Sequence, residues 1–389
     1  MKSKSLLVVA THPVQYMAPW FRYLSEHTDL QLTVWYAMLP DRELQGVGFG
    51  QAFNWDTDLL SGYRWEQLEN YSSKPSLNTF FGTRVKSIGD KLKSLSPAVV
   101  LVTGWHQLSL VQVAMNCRRA NIPCLVRGES NNLKPRAVYK RILHRLFLKL
   151  FDGYLYIGQA NRNFYLDNGV QSERLHFAPY FVDNKWFSHQ LDNSGPVKEQ
   201  WLEKFKIALD ERVILFVGKL QQKKNVAELI QAVALLSSNK TRYCLVVTGD
   251  GEQRERLQGI ADQLNIRTVF TGFVNQGGLA EVYASADCIV LPSDYGETWG
   301  LVVNEAMNFS LPVVVSDRVG CGADLVREGQ TGYRYSFGQP AQLAAILEKV
   351  CHSESDRRKL GEGAKHRIQQ YSMEVATRGL LNAIYALQE

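Results

Sequence analysis

The sequence predicts an α/β protein built twice over, as two open parallel sheets covered by helices and facing one another across a cleft. Three observations lead there. The chain has 389 residues, too many for one ordinary core. Short β-branched apolar runs alternate with helical patterns in both halves, as parallel strands joined by crossover helices do. Between the halves, residues 183–212 turn polar and charged around Asn193-Ser-Gly-Pro196 and read as a linker region.

In the first half the strands fall at 6–10, 32–37, 99–102, 124–126 and 154–157, with helices near 16–27, 108–120, 137–150 and 160–168. Residues 40–85 interrupt this alternation with weak periodicity and many aromatics, among them Phe49, Phe53, Trp55 and Phe80. A long aromatic loop inside a compact domain points to function. In the second half strands fall at 213–217, 244–248, 269–271, 288–291 and 313–316. Helices lie near 225–236, 253–264, 279–284, 301–309, 341–350 and 356–370. A last amphipathic stretch, 373–387, follows the second sheet. Two Rossmann-like domains result: 1–185, with the C-terminal helix of 372–389 packing back on it, and 186–371.

Net charge is +6, a modest excess that does not call for nucleic acid. Met1-Lys-Ser-Lys-Ser precedes an apolar run too short for a signal peptide, and no segment is apolar enough to span a bilayer. Six scattered cysteines without Cys-x-x-Cys spacing fit buried free thiols in a reducing cytosol. The expected location is cytoplasmic. Residues 134–149 hold six Lys or Arg and no acid, with Leu143, Leu146, Phe147 and Leu150 at helical spacing. Two readings stay open for 134–150: a basic amphipathic helix on an anionic membrane at its inner face, or a packed helix with a basic outer side.

Two glutamates carry the most chemistry. Glu297 lies in the loop after the strand 288–291, and Glu305 in the first turns of the following helix. Ligands of open α/β sheets bind at the carboxyl ends of strands. The helix-start amides of Thr298, Trp299, Gly300 and Leu301 suit a phosphate. Carboxylates flanking an anion cradle must face neutral hydroxyls, so the ligand has phosphates in its middle and polyols at both ends. A nucleotide sugar has that shape.

The strand 213–217 runs into Gly218-Lys-Leu-Gln-Gln-Lys-Lys-Asn225, where Gly218 permits close approach and Lys219 and Lys224 can neutralise a diphosphate. Phe273 and Val274, after another strand, offer an edge to a nucleobase. In the first half His12, Gln15, His106, Arg127 and Glu129 follow three strands and read as an acceptor side. Asp56-Thr-Asp58 matches a metal-holding Asp-x-Asp pattern but lies in the irregular loop, so no metal and no cofactor is expected.

Together, the Glu297…Glu305 spacing, Ala286-Asp-Cys-Ile-Val-Leu-Pro-Ser293, Glu305-Ala-Met-Asn-Phe-Ser-Leu-Pro-Val-Val and Gly329-Gln-Thr-Gly-Tyr333 resemble the retaining GT-B glycosyltransferases of family 4. The likeness is strongest over 210–350. It implies that Glu297 contacts the transferred sugar, Glu305 the ribose, and Lys219 and Lys224 the diphosphate. Lys219 stands where arginine is commoner, Glu129 replaces a frequent histidine, and Tyr180-Phe-Val-Asp183 replaces a usual Asn-Gly. His12-Pro-Val-Gln-Tyr16 with Arg127-Gly-Glu-Ser130 resembles a bacterial branch of polysaccharide assembly. The implied partners are a nucleotide sugar and a glycan or lipid-linked acceptor. Two alternatives remain at this stage: a nucleotide-sugar epimerase of GT-B architecture, and a non-catalytic nucleotide-sugar-binding subunit.

Overall fold

Parallel strands buried on both faces read as near-continuous apolar runs, and such runs form the middle of both sheets. The computed structural model describes residues 5–192, 195–236 and 241–387, so the lysines of the first four residues and Asn193-Ser194 lie outside the described residues. The chain divides into two units. The first comprises Met1–Gln45, Thr57–Tyr180 and Met373–Glu389; the second comprises Gly46–Asp56 and Phe181–Ser372.

The first unit holds β1 (Ser5–Ala10), β2 (Gln31–Tyr36), β3 (Arg64–Gln67), β4 (Val99–Val102), β5 (Cys124–Val126), β6 (Gly153–Tyr156) and β7 (Leu175–Phe177). They form one parallel sheet in the order β3-β2-β1-β4-β5-β6-β7. The second unit holds β8 (Glu211–Val217), β9 (Arg242–Thr248), β10 (Thr268–Gly272), β11 (Cys288–Leu291), β12 (Val313–Ser316) and β13 (Gly332–Tyr335). Their order, β10-β9-β8-β11-β12-β13, is a doubly wound pattern that reverses between β8 and β11. β4, β11 and β12 are buried at every residue.

The structure corrects the sequence reading at the edges. β3, β7 and β13 were not expected, because an edge strand has one neighbour and needs no continuous apolar run. β3 (Arg-Trp-Glu-Gln) is exposed throughout. The irregular stretch 40–85 contains β3 and a short helix, Arg42–Gly46. The linker region holds helices Asn184–Asp192 and Gly195–Lys204; polar composition there marks exposed helix faces rather than open chain. All six cysteines are free and buried. Among the described residues no helix is long and apolar enough to cross a membrane.

The helix Met373–Ala386 belongs to the first unit and packs on β6 and β7. Trp20 Nε1 donates to Thr377 Oγ1 at 2.9 Å, fixing it to the helix Ala18–His27. Gly379 rides directly on the backbone of β7: a Cβ there would lie 1.9 Å from the Phe177 carbonyl oxygen. Gly379→Ala is therefore expected to lift the helix and lower stability by about 1–3 kcal/mol. Urea unfolding should show a lower midpoint with unchanged slope; an unchanged midpoint would mean that the helix is not seated as described.

Candidate active site

The reversal point of the second sheet places the loop after β8 beside the loop after β11, at the carboxyl ends of both strands, where ligands of such sheets bind. Lys224, from the first loop, donates its ammonium to Glu297 Oε2 in the second, and both side chains are largely buried. Ser293 Oγ adds a second donor to the same oxygen at 3.3 Å. The Asp294 amide bonds the Lys223 carbonyl at 2.8 Å, joining the two loops through backbone.

The loop after β12 closes the third side. Ser316 Oγ donates to the Ser293 carbonyl at 2.5 Å, and the Gly320 amide bonds the Glu297 carbonyl at 3.1 Å. A Cβ on Gly320 would sit 1.8 Å from the Thr298 carbonyl oxygen, so only glycine allows this approach. An ion pair taken from water is worth keeping when geometry and further hydrogen bonds offset its desolvation, and Glu297 has both.

The helix Leu301–Asn308 starts at Gly300 without a side-chain cap. First-turn amides have no acceptor within a helix and carry partial positive charge. Half-buried Thr298 and Leu301 flank this start. Trp299 is turned inward, its Nε1 donating to Asn304 Oδ1 at 2.8 Å, so it lends the site backbone rather than ring. Glu305 is only 7% exposed and accepts the Tyr283 hydroxyl at 2.5 Å. Burial pushes its pKa up to about 7, against the hydrogen bond from Tyr283.

Lys219 follows Gly218, whose amide bonds the Thr248 carbonyl at 2.9 Å. Its ammonium donates to the Val47 carbonyl at 2.8 Å and lies 4.1 Å from the centre of the Phe49 ring. Burial, with the charges of Lys223 and Lys224, lowers its pKa to about 8. Phe273 packs against Phe49 and Phe53 at 5.1 and 4.4 Å, beside half-buried Val274. Asn275 Nδ2 bonds the Asn54 carbonyl at 2.8 Å. The aromatic loop thus covers two of the residues assigned to a donor.

The Asp-x-Asp carboxylates are engaged in backbone: Asp56 accepts the Gly277 amide at 3.0 Å, and Asp58 accepts those of Leu60 and Ser61. Among the described residues no group of three or more His, Cys, Asp or Glu is arranged to hold a metal.

In the first unit His12, Gln15, His106, Arg127 and Glu129 follow β1, β4 and β5, which are neighbours in the sheet. Thr11 Oγ1 and His12 Nδ1 share a hydrogen bond at 2.9 Å, Gln15 is half-buried, and His106 is exposed. Arg127 is buried. Its guanidinium donates to the Pro179 carbonyl at 2.9 Å and lies over the rings of Trp20 and Tyr180. Tyr180 in turn donates its hydroxyl to Glu129. Arg127 thereby braces Tyr180, and Tyr180 fixes Glu129.

Sequence reasoning missed Ser293, Tyr283 and Val47. Ser293 follows the strand-ending Pro292, a signal that could have found it. Tyr283 sits in an apolar helix, Leu279–Ala284, that gives no hint of a carboxylate partner. Val47 contributes only its backbone.

Residues 197–367 match the family model described as glycosyl transferases group 1. An uncharacterized glycosyltransferase of Methanocaldococcus jannaschii is 34% identical over 176 residues, 44% of each chain. The chain thus spans less than half the length of that relative. An alpha-1,4-N-acetyl-D-galactosaminyltransferase of Campylobacter jejuni, named for an undecaprenol-diphosphate-linked acceptor, is 24% identical over 325 residues, 80% of this chain and 84% of that one. HepE of Anabaena, solved in complex with UDP, superposes with a TM-score of 0.75 at 15% identity, covering 98% of this chain and 100% of that one. The second unit thus carries a group 1 glycosyl transferase domain, within a chain whose two parallel-sheet, Rossmann-like domains have the GT-B architecture.

Proposed function

We propose that the protein is a retaining, metal-independent glycosyltransferase that moves a sugar from a nucleoside-diphosphate sugar to an acceptor hydroxyl in bacterial polysaccharide or glycolipid assembly. The observation that carries this reading is the Lys224–Glu297 pair at the reversal point of the second sheet, next to an uncapped helix start.

In this reading the diphosphate lies against Lys219, Lys224 and the first-turn amides near Leu301. Charge builds on the leaving phosphate in the transition state, and fixed donors in a partly dry site stabilise it most there. A bound diphosphate would also restore the proton affinity that burial takes from Lys219. Glu297, held by Lys224 and Ser293, orients the hydroxyls of the transferred sugar rather than attacking it. The departing diphosphate takes the acceptor's proton as the new bond forms on the same face. Glu305 exchanges the Tyr283 hydroxyl for a ribose hydroxyl, and Phe273 with Val274 borders the base. His12, Gln15, His106, Arg127 and Glu129 form the acceptor side, with Arg127 bracing Glu129 through Tyr180.

The relatives named for glycosyl transfer and the UDP complex of the Anabaena structure support a nucleotide-sugar donor. For location, we place the protein at the cytoplasmic face of a membrane. The helix Val138–Leu148 supports contact with it: Val138, Tyr139, Ile142, Leu143 and Leu146 are 47–70% exposed along one stripe. Arg141 and Arg145 border that stripe on one side and Lys140 on the other. Six free, buried thiols fit the reducing side.

Calorimetry with a panel of nucleoside diphosphates and their sugars, with and without magnesium, tests the donor site. One tight, magnesium-independent binder is expected. Glu305→Ala should weaken that binding about tenfold, in line with loss of a charged hydrogen bond, while Glu297→Ala should mainly slow transfer. Conversion of the donor to an epimeric nucleotide sugar without an acceptor alcohol would favour an epimerase, and release of free nucleotide only when an acceptor alcohol is present would count against one. No binding at all would favour a non-catalytic subunit.

A further inference from the structure

Two of the residues assigned to a donor, Lys219 and Phe273, are held by the chain itself. Segment 46–56 belongs to the second unit, while its flanks Gln45 and Thr57 belong to the first. After β8, the Val47 carbonyl accepts the Lys219 ammonium at 2.8 Å, and the centre of the Phe49 ring lies 4.1 Å from the same ammonium. A Cβ on Gly48 would meet Lys219 Cδ at 3.2 Å, so the backbone of the segment rests on this side chain. After β10, Phe49 and Phe53 cover Phe273, the Asn54 carbonyl accepts Asn275 Nδ2, and Asp56 accepts the Gly277 amide.

These contacts imitate a nucleotide in two ways. A carbonyl oxygen stands where a phosphate oxygen would meet Lys219, and aromatic rings stand where a base would meet Phe273. Both imitations are poor. The carbonyl is neutral, so the buried ammonium keeps its repulsion from Lys223 and Lys224, and its pKa falls to about 8. A diphosphate would bring the missing negative charge. Trp55, edge-on to Phe53 at 5.0 Å, has its Nε1 buried with no hydrogen-bond partner among the described residues. An unpaired buried donor is costly, and release of the segment to water would recover that loss. Glycines on both sides of Phe49, at φ of +85° and +75°, leave the backbone free to turn the ring away.

We propose that segment 46–56 is a plug of the donor site, seated on Lys219 and Phe273 until a nucleoside diphosphate or its sugar displaces it. A plug lowers the apparent affinity of every ligand of the site by the same factor, the fraction of molecules in which it has left. A ligand that makes only one of the two contacts therefore fails to open the site at concentrations where a whole nucleotide succeeds. The inference rests on the donor reading proposed above and deepens it.

The test is Phe49→Ala in the full-length protein, with UDP, GDP, ADP and inorganic diphosphate as calorimetric probes. The substitution removes the ring from Lys219 and from Phe273 and leaves every side chain assigned to the donor in place. The nucleoside diphosphate that binds the wild type best should bind the variant about tenfold more tightly, as loss of a cation–π contact and an aromatic pair from the plugged state predicts. Inorganic diphosphate should gain by the same factor. Hydrogen exchange of the wild type supplies a readout that survives a misfolded variant: the amides of 46–56 should exchange faster once the nucleotide is bound. Weaker or unchanged nucleotide binding by Phe49→Ala, or slower exchange in the bound wild type, would overturn the plug and make the segment a lid that grips the base. A gain for the nucleotide without one for diphosphate would also overturn it, by confining Phe49 to the base. If neither protein bound any of the four probes, the donor reading itself would fall and the plug with it.

Discussion

Replacing Lys224 by methionine is expected to slow sugar transfer about 100- to 1000-fold, the loss that follows removal of one fixed donor facing transition-state charge. The methionine keeps the length of the stem that packs beside Gly218 and removes only the ammonium. Single-turnover kinetics with saturating donor would isolate the effect from weaker binding. The substitution also leaves Glu297 beside only Ser293, with most of its surface buried. An unpaired, buried carboxylate is destabilising in its own right. Lys224→Met/Glu297→Gln separates the two effects: it should recover thermal stability and remain slow. A double variant that regained the wild-type rate would show that the pair is structural and that charge on the leaving phosphate is met elsewhere.

The second large effect is on stability and depends on pH. The Glu305 carboxyl is buried and holds its proton up to about pH 7, against an ordinary value of 4.5. Between those values the folded protein binds more protons at this position than the unfolded chain. Stability must therefore fall as pH rises from about 4.5 to about 7, then level off. Integrated over that window the loss is on the order of 3 kcal/mol. Glu305→Gln keeps an acceptor for the Tyr283 hydroxyl and cannot ionise. It should match the wild type near pH 4.5 and be the more stable protein at pH 8 by roughly that amount. Denaturant unfolding at the two pH values reads this directly, and a constant difference between the proteins would refute the assignment.

Much of the molecule was legible in the sequence because its information is local. β4 and β12 announce themselves through Val-Val-Leu-Val and Val-Val-Val-Ser, runs with no polar face to confuse the period. The edge strands β3 and β7 were not legible, since their places depend on the strands they lean against. The same division holds in the site. Lys224 and Glu297 each sit at a strand end, and the sheet order that brings them together follows from the alternation of elements. The partner of Lys219 is different in kind. Its ammonium meets a backbone carbonyl supplied by a loop far away in the chain, and a carbonyl carries no residue signature. Glu305 shows a third case: its position was evident, but its proton affinity depends on burial and on Tyr283, and neither is written in the local pattern.

The seat of the helix Met373–Ala386 on β6 and β7 sets the order in which the nascent chain can mature. Domains fold as units during synthesis, the amino-terminal one ordinarily first. Here the first sheet is translated early but receives the helix Met373–Ala386 only after the whole of the second unit has been made. Until then Gly379 is absent from Phe177, the indole of Trp20 lacks Thr377, and the apolar surface around β7 stays open. The second unit has no such debt to the helix Met373–Ala386, because Ser372 is its last residue. The later-translated unit can thus be complete before the earlier one, and a ribosome stalled just after Ser372 has emerged would hold a folded second unit tethered to an unfinished first.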